Sequence, residues 1–121
     1  VKVVDGPWRK KIVKKLKQNL GVNLEHIYAQ DKLIDINIQS IEYCREILNI
    51  TTPMVYASKL DVGGTKSELL ANLVKRMNGT TYLSGPSGKD YLDMKYFNDI
   101  EVKYFEPKVD NYYSTLYNIC K

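Results

Sequence analysis

The chain of 121 residues has little of what recognisable catalytic and metal-binding motifs require. It contains one histidine, His26, and two cysteines, Cys44 and Cys120. Two cysteines define no disulfide framework, and none of the three residues stands at a metal-ligand spacing, so we predict no metal site and no bound cofactor. No pairing of a nucleophile with a histidine base is indicated. The low cysteine content favours a reducing, cytoplasmic location.

Long apolar segments are also missing. No stretch approaches the ~20 apolar residues that a membrane-spanning helix needs, so we predict no transmembrane segment. The composition, 44% hydrophobic and 26% charged, is typical of a globular protein. A chain of this length suits one modest core, and we predict a single domain over residues 1–121.

The net charge of +4 is concentrated at one end of the sequence. Among residues 1–20, Asp5 is the one acidic side chain against seven basic ones: Lys2, Arg9, Lys10, Lys11, Lys14, Lys15 and Lys17. The rest of the chain is nearly balanced. This is unlike the evenly basic surface of a nucleic-acid-binding domain, so no specific nucleic-acid partner is predicted. The lysines are typical of a solvated helix face, and recruitment of an acidic partner is the alternative.

Hydrophobic periodicity predicts an α/β fold. Two amphipathic helices come first, at residues 8–20 and 31–48. In the second, the predicted buried stripe is Ile34, Ile38, Ile41, Cys44 and Leu48, and it is widened by Leu33, Ile36 and Ile47. Short apolar segments then alternate with helical patterns, which predicts parallel pairing with helical crossovers. The expected architecture is a three-layer-like βαβαβ parallel sheet preceded by the two helices, with strands near 54–57, 81–84 and 101–106. The tail 108–121 has no clear periodicity.

The most informative motif is the turn Ser84-Gly85-Pro86-Ser87-Gly88-Lys89-Asp90, which precedes a helix predicted over about 90–97. It brings backbone N–H groups, hydroxyls and a lysine to a helix start, where an anionic or highly polar ligand is favoured. It is not a P-loop, because Leu83 stands where the first glycine belongs and Asp90 where Ser or Thr belongs. A plain strand-to-helix turn capped by Asp90 would also explain the glycines and the proline.

A second segment, Thr65-Lys66-Ser67-Glu68, has the spacing of a capping box and predicts the start of a helix. In a parallel sheet this segment and the turn would meet at the carboxyl edge of the strands. A lysine or a carboxylate would have to serve as any catalytic base. The predicted ligand-binding residues are Ser84, Gly85, Ser87, Gly88, Tyr91, Lys66 and Ser67, and the predicted catalytic residues are Lys89, Asp90 and Asp93.

The run Thr81–Asp93, with Phe97 and the segment Val102–Glu106, resembles the C-terminal portion of the WbqC-like family, bacterial proteins associated with lipopolysaccharide and other surface-polysaccharide biosynthesis. Weaker similarity extends through Lys66–Glu68, Asn37–Leu48 and Trp8–Lys11. The resemblance implies a cytoplasmic transferase that modifies an activated amino sugar, so that a sugar nucleotide or another anionic metabolite would be the small-molecule ligand of the turn.

The chain also departs from the resembled family. Family members carry a longer N-terminal half before the Trp8-Arg9-Lys10-Lys11 stretch and end in a hydrophobic segment. The chain is therefore expected to be a fragment or a shortened form of a longer architecture, which a protein partner or a second copy would complete. The alternative function is a non-catalytic binding or assembly module that uses the basic helix 8–20.

Overall fold

The computed structural model describes residues 1–108 and 111–120. Within them the chain separates into two compact units, residues 1–52 with 111–120, and residues 53–108. That the whole chain forms one domain stays a prediction. The described helices and strands are α1 (Trp8–Leu20), α2 (Glu25–Tyr28), α3 (Leu33–Ile47), α4 (Lys66–Arg76), β1 (Thr81–Ser84), α5 (Gly88–Tyr91), β2 (Glu101–Tyr104) and α6 (Thr115–Cys120). The mixed α/β class is confirmed.

The first unit is helical, and α1 lies where the sequence predicts it. Pro7 precedes its first turn, and the helix ends at Gly21, whose φ of 70° is the left-handed conformation that glycine adopts without strain. The Gly21 N–H donates to the Lys17 carbonyl at 3.1 Å and closes the last turn. No α1 residue is fully buried, because the helix presents only a partly buried apolar stripe to the core.

Leu24, Ile27 and Ile36 form the buried core of this unit. The predicted stripe on α3 is confirmed at Ile36, one of the residues that widen it, and is wrong at Ile34 and Ile41. Ile36 is the buried residue, whereas Ile34 and Ile41 are about half exposed. The beginning of α3 is apolar on several sides, so periodicity alone could not select the face that packs against α2.

The second unit contains a sheet of two parallel strands, β1 and β2, paired from Thr81 with Glu101 to Ser84 with Tyr104. The three-layer βαβαβ prediction is not confirmed. The strand predicted near 54–57 is wrong: no ladder is formed there, and Ala57–Lys59 is a 3₁₀ turn. A strand requires a neighbour that pairs with its backbone, and in the described residues this segment has none; its side chains are largely exposed.

The two predicted strands that do form turn alternate residues toward a core of Ala71, Phe97 and Ile100. Tyr82 stacks on Phe97 with ring centroids 5.6 Å apart. The strand predicted over 101–106 ends at Tyr104, although the Phe105 N–H still donates to the Ser84 carbonyl at 2.7 Å. Packing against α4 supplies the support that an isolated pair of strands lacks.

The helix predicted over 90–97 is two separate turns. The first is α5, and the second is a 3₁₀ turn over Met94–Phe97; extended backbone at Leu92 and Asp93 separates them. The predicted helix start at Asp90 is wrong, because α5 begins at Gly88. A single helical turn also has little macrodipole. By contrast α4 starts directly after Thr65 as predicted, although the Thr65 side chain makes no capping hydrogen bond.

Candidate functional site: the Ser67 cavity

The start of α4 is joined to the segment after α5 by a partly buried hydrogen bond. Ser67, 4% exposed, accepts at its Oγ from the Asp93 backbone N–H at 2.9 Å. These residues are 26 positions apart in the sequence. The bond satisfies a backbone donor that leaves the helical ladder, and it fixes Asp93 beside the first turn of α4.

A cavity of about 170 Å³ lies at this junction, and we call it the Ser67 cavity. Its lining combines a lysine, a carboxylate, two aliphatic hydroxyls and two phenol rings. The lining residues are Thr65, Lys66, Ser67, Tyr91, Asp93 and Tyr96. Of the predicted site residues, the structure brings together Lys66, Ser67, Tyr91 and Asp93.

The backbone that leads into α4 is held in conformations that most residues avoid. Lys66 has a φ of 51°, and Gly64 has a φ of 105°. A Cβ at Gly64 would also lie 3.0 Å from Glu68 Cγ, so this position requires glycine. A left-handed lysine costs on the order of 1–3 kcal/mol, and strain of this kind is often found at binding sites.

Asp93 is the best-defined charged group of the cavity. Lys95 Nζ lies 2.9 Å from Asp93 Oδ2, and the Lys95 N–H donates to Asp93 Oδ1 at 3.3 Å. The hydrogen bond from the Lys95 side chain lowers the pKa of Asp93 below its usual 3.8 and raises the pKa of Lys95. At neutral pH Asp93 is therefore an ionised acceptor, which suits orienting a ligand's N–H or O–H better than removing a proton.

Sequence reasoning missed Lys95 and Tyr96 as site residues. Lys95 Nζ also lies 4.8 Å from the centroid of the Tyr96 ring, so one ammonium group contacts both the carboxylate and the aromatic wall. The available signal was the sequence Asp93-Met94-Lys95, because an aspartate that begins a short turn accepts from the N–H two residues on.

In the turn after β1, two of the predicted ligand-binding residues pack against each other. Ser84 is 3% exposed, and a Cβ added to Gly88 would fall onto its Oγ. Gly88 is thus explained by close packing against Ser84. At Gly85 no atom lies within 4 Å of the position that a Cβ would take, so this glycine has open space around it. Ser87 is exposed and its side chain makes no capping hydrogen bond.

Lys89 and Asp90 do not line the Ser67 cavity. Lys89 Nζ lies 3.5 Å from Glu106 Oε1 and 5.4 Å from the Tyr104 ring centroid, beside the carboxyl end of β2. Asp90 is exposed, and within the described residues its carboxylate has no hydrogen bond or ion pair. The predicted site residues therefore form two groups, one at the Ser67 cavity and one at the carboxyl end of the sheet.

Metal-binding clusters and membrane-spanning helices are both absent from the described ranges. No cluster of three or more His, Cys, Asp or Glu side chains with the geometry to hold a metal ion occurs in residues 1–108 and 111–120. In the same residues, no helix has both the length and the apolar character to span a bilayer.

The fold and the cavity define a small mixed α/β protein with a polar, aromatic-walled recess at the start of a helix. The chain belongs to the WbqC-like protein family, which matches it over residues 1–118. The match covers nearly the whole chain, and so extends well beyond the run Thr81–Asp93 that carries the resemblance most strongly.

Among curated proteins the chain is similar to the uncharacterized protein Rv1507c of Mycobacterium tuberculosis. The two are 26% identical over 83 residues, which cover 66% of this chain and 36% of that protein. The chain thus spans about a third of the length of this relative. No solved structure matches it significantly.

Proposed function

We propose that this WbqC-like protein acts in the biosynthesis of lipopolysaccharide or another surface polysaccharide, as a cytoplasmic transferase that modifies an activated, nucleotide-linked amino sugar. The observation that carries the proposal is the Ser67–Asp93 hydrogen bond. It joins two distant segments so that a lysine, a carboxylate and two tyrosines line one recess.

The size of the recess limits which part of the ligand it takes. A volume of about 170 Å³ is below the ~300–1,000 Å³ of pockets that enclose a whole drug-sized ligand. A single sugar ring is therefore the part that enters the Ser67 cavity. The nucleotide diphosphate extends outside it, and the exposed Gly85-Pro86-Ser87 backbone and Lys89 are the predicted contacts for its phosphates.

Each lining group has a role that suits a sugar. The Tyr91 and Tyr96 rings offer apolar faces to the C–H groups of a pyranose. The ionised Asp93 carboxylate accepts from a hydroxyl or from the amino group. Lys66, an exposed lining residue, attracts the negative charge of the phosphates. Asp90 lies outside the lining and is the predicted second carboxylate, beside the turn after β1. The proton acceptor of the transfer step is assigned to no residue, because the lowered pKa of Asp93 makes it a weak base.

Isothermal titration of the full chain with a uridine diphosphate-linked amino sugar tests this proposal, with UDP and the free amino sugar as reference ligands. We expect Asp93→Asn and Lys66→Ala each to weaken binding by about tenfold or more, the amount that one lost charge-assisted contact produces. Lys89→Ala should produce a smaller loss, confined to ligands that carry the diphosphate.

Lys103→Ala is the matched control, because Lys103 is an exposed lysine on β2 whose partner is Glu101 at 3.2 Å. It should bind like the wild type. If Asp93→Asn and Lys66→Ala also bind like the wild type while all variants unfold at the same temperature, the Ser67 cavity is not the sugar site. A parallel assay for loss of the free amino group decides whether bound ligand is also modified.

A further inference from the structure

A second and larger cavity lies in the first unit, between α1 and α2. Its volume is about 510 Å³, inside the ~300–1,000 Å³ range of small-molecule sites. The residues that give it its character are Arg9, Lys10, Val13, Lys14, Lys17 and Tyr28. We call it the α1–α2 groove.

The wall of the groove is held in place by Arg9. Its guanidinium donates to the Tyr28 carbonyl and, at 2.8 Å, to the Gln30 carbonyl, while Arg9 Nε lies 3.3 Å from Asp5 Oδ1. These bonds use carbonyls at the end of α2 that have no helical partner. The first turn of α1 is thereby fixed to the end of α2, with the fully buried Ile27 in the adjoining core, so the groove is formed before any ligand arrives.

The charges along the groove are unbalanced. Lys10, Lys14 and Lys17 are spaced four and three residues apart, so they lie along one side of α1 over ~10 Å. All three are exposed, and none takes part in the ion pairs found in residues 1–108 and 111–120. The acidic lining residues are Asp5, already held by Arg9, and Glu25. An anion along this row would remove uncompensated positive charge.

Beside the row of lysines the groove offers apolar surface. Val13, Ala29 and the Tyr28 ring contribute to it, and lysine stems extend it. Burial raises the pKa of Tyr28. Its phenol therefore stays protonated and can donate a hydrogen bond to an acceptor on the ligand. A bare inorganic anion would leave this apolar surface in water, whereas a ligand with an apolar or aromatic body would cover it.

We propose that the α1–α2 groove binds an organic diphosphate, with the phosphates along Lys10, Lys14 and Lys17 and the organic body over Val13 and Tyr28. The organic body is that of a nucleoside or of a prenyl chain, since both present the same diphosphate. A volume of about 510 Å³ suits a small molecule better than an acidic polypeptide, which would extend past the ends of the groove. Every residue of the groove lies in the first unit, so the inference is independent of the Ser67 cavity.

The test is calorimetric titration of the full chain with three probes: inorganic pyrophosphate, UDP and geranyl diphosphate. At least one organic diphosphate should bind about tenfold more tightly than pyrophosphate, because only it covers the apolar surface. The tighter of the two identifies the body as nucleoside or prenyl. Amide chemical-shift changes should concentrate on α1 and α2.

A pair of double variants separates the groove from charge in general. Lys10→Glu with Lys14→Glu reverses two groove lysines, and Lys11→Glu with Lys15→Glu makes the same charge change on the same helix outside the groove lining. The groove variant should lose about tenfold or more in affinity, and the control should stay within about threefold.

Three results would overturn the proposal: equal losses in both double variants, pyrophosphate binding as tightly as both organic probes, or binding of a polyglutamate peptide without binding of any diphosphate. Circular dichroism of each variant verifies that α1 is retained, because exposed lysines at these positions contribute little to packing.

Discussion

The turn after β1 and the start of α4 are similar in sequence and different in structure. Each combines glycine, hydroxyl side chains and a lysine. In the turn, the glycine at 88 makes room for Ser84. At the start of α4, the Ser67 side chain accepts a hydrogen bond from the backbone N–H of Asp93, outside its own helix. Lys66 has a left-handed backbone conformation. Composition alone therefore does not distinguish a turn that packs on itself from one that opens a cavity.

The difference has a physical basis. In the turn after β1, the special residues are explained by contacts a few positions apart, such as the close packing of Gly88 against Ser84. Groups at the start of α4 carry backbone strain and a hydrogen bond to a distant segment, which local structure does not require. Four predictions test this contrast, and they are ordered by decreasing size of the change they should produce.

Replacing Gly88 by Ala should lower the free energy of unfolding by about 1–3 kcal/mol, the cost of overpacking a closed site. Helix propensity alone would favour Ala by ~1 kcal/mol, so the sign tests whether Ser84 fills the space. Urea unfolding measures the change. Gly85→Ala is the control and should have little effect, because nothing lies within 4 Å of its Cβ position.

A double-mutant cycle makes this result specific. Ser84→Gly combined with Gly88→Ala should be less destabilised than the sum of the two single variants, because the clash is relieved. Additive losses would mean that Ser84 is not what excludes a side chain at position 88.

Ser67→Ala should destabilise the second unit by about 1–2 kcal/mol, because the Asp93 N–H loses its acceptor at a partly buried position. Amide hydrogen exchange at Asp93 should accelerate, and binding to the Ser67 cavity should weaken with it. Ser87→Ala, which removes an exposed hydroxyl without a capping bond, is the matched control. If both variants behave alike, the junction between α4 and Asp93 has no special role.

Lys66→Gly should raise the free energy of unfolding by up to about 1 kcal/mol, because glycine adopts a positive φ without strain. It should at the same time weaken binding of the nucleotide-linked sugar, since the ammonium group is lost. Asn78→Gly changes another residue of positive φ, at the end of α4. Binding should be unaffected there, and a loss of binding in both variants would contradict a specific role for Lys66.

The smallest expected effect is the change of ligand binding with pH. The lowered pKa of Asp93 means that its ionised form is favoured in the fold, so this contribution is present above the usual 3.8 and disappears as pH falls through the lowered value. Binding that depends on Asp93 should therefore be constant between about pH 5 and 8. Carbon-13 NMR titration of the carboxyl gives the pKa directly.

Lys95→Met should return the pKa of Asp93 toward 3.8, because the side chain that lowers it is removed. Lys89→Met should leave it unchanged, because Lys89 contacts Glu106 and Tyr104 instead. Equal effects of the two variants would mean that the pKa of Asp93 reflects the general charge of the chain.

Much of the fold could be predicted where local rules decide. The helix α1 is defined by its periodicity and by Gly21, and β1 and the body of β2 lie at the predicted positions. The strand predicted near 54–57 does not form, because β-structure depends on a neighbour that a sequence pattern does not reveal. The helix over 90–97 failed because Asp93 starts a new turn there.

The candidate site could be predicted only in part, because local patterns indicate residue types but not which distant residues meet. Residue types and spacing predict Lys66, Ser67, Tyr91 and Asp93 as site residues, and the structure brings them to one cavity. The turn composition predicts Lys89 as a site residue as well, yet its ammonium lies beside the carboxyl end of β2. The α1–α2 groove had no sequence signal beyond a row of lysines, because a cavity exists only once two helices have packed.

The α/β class, the bounds of α1 and β1, and the membership of the WbqC-like family could all be read from the order of the amino acids. The first two depend on backbone preferences and side-chain periodicity, which act over a few residues. The hydrogen bond from Asp93 to Ser67 across 26 positions, and the bonds by which Arg9 joins α1 to α2, became visible only in the folded chain. Contacts between distant residues follow from how whole elements pack, and no short stretch of sequence contains that information.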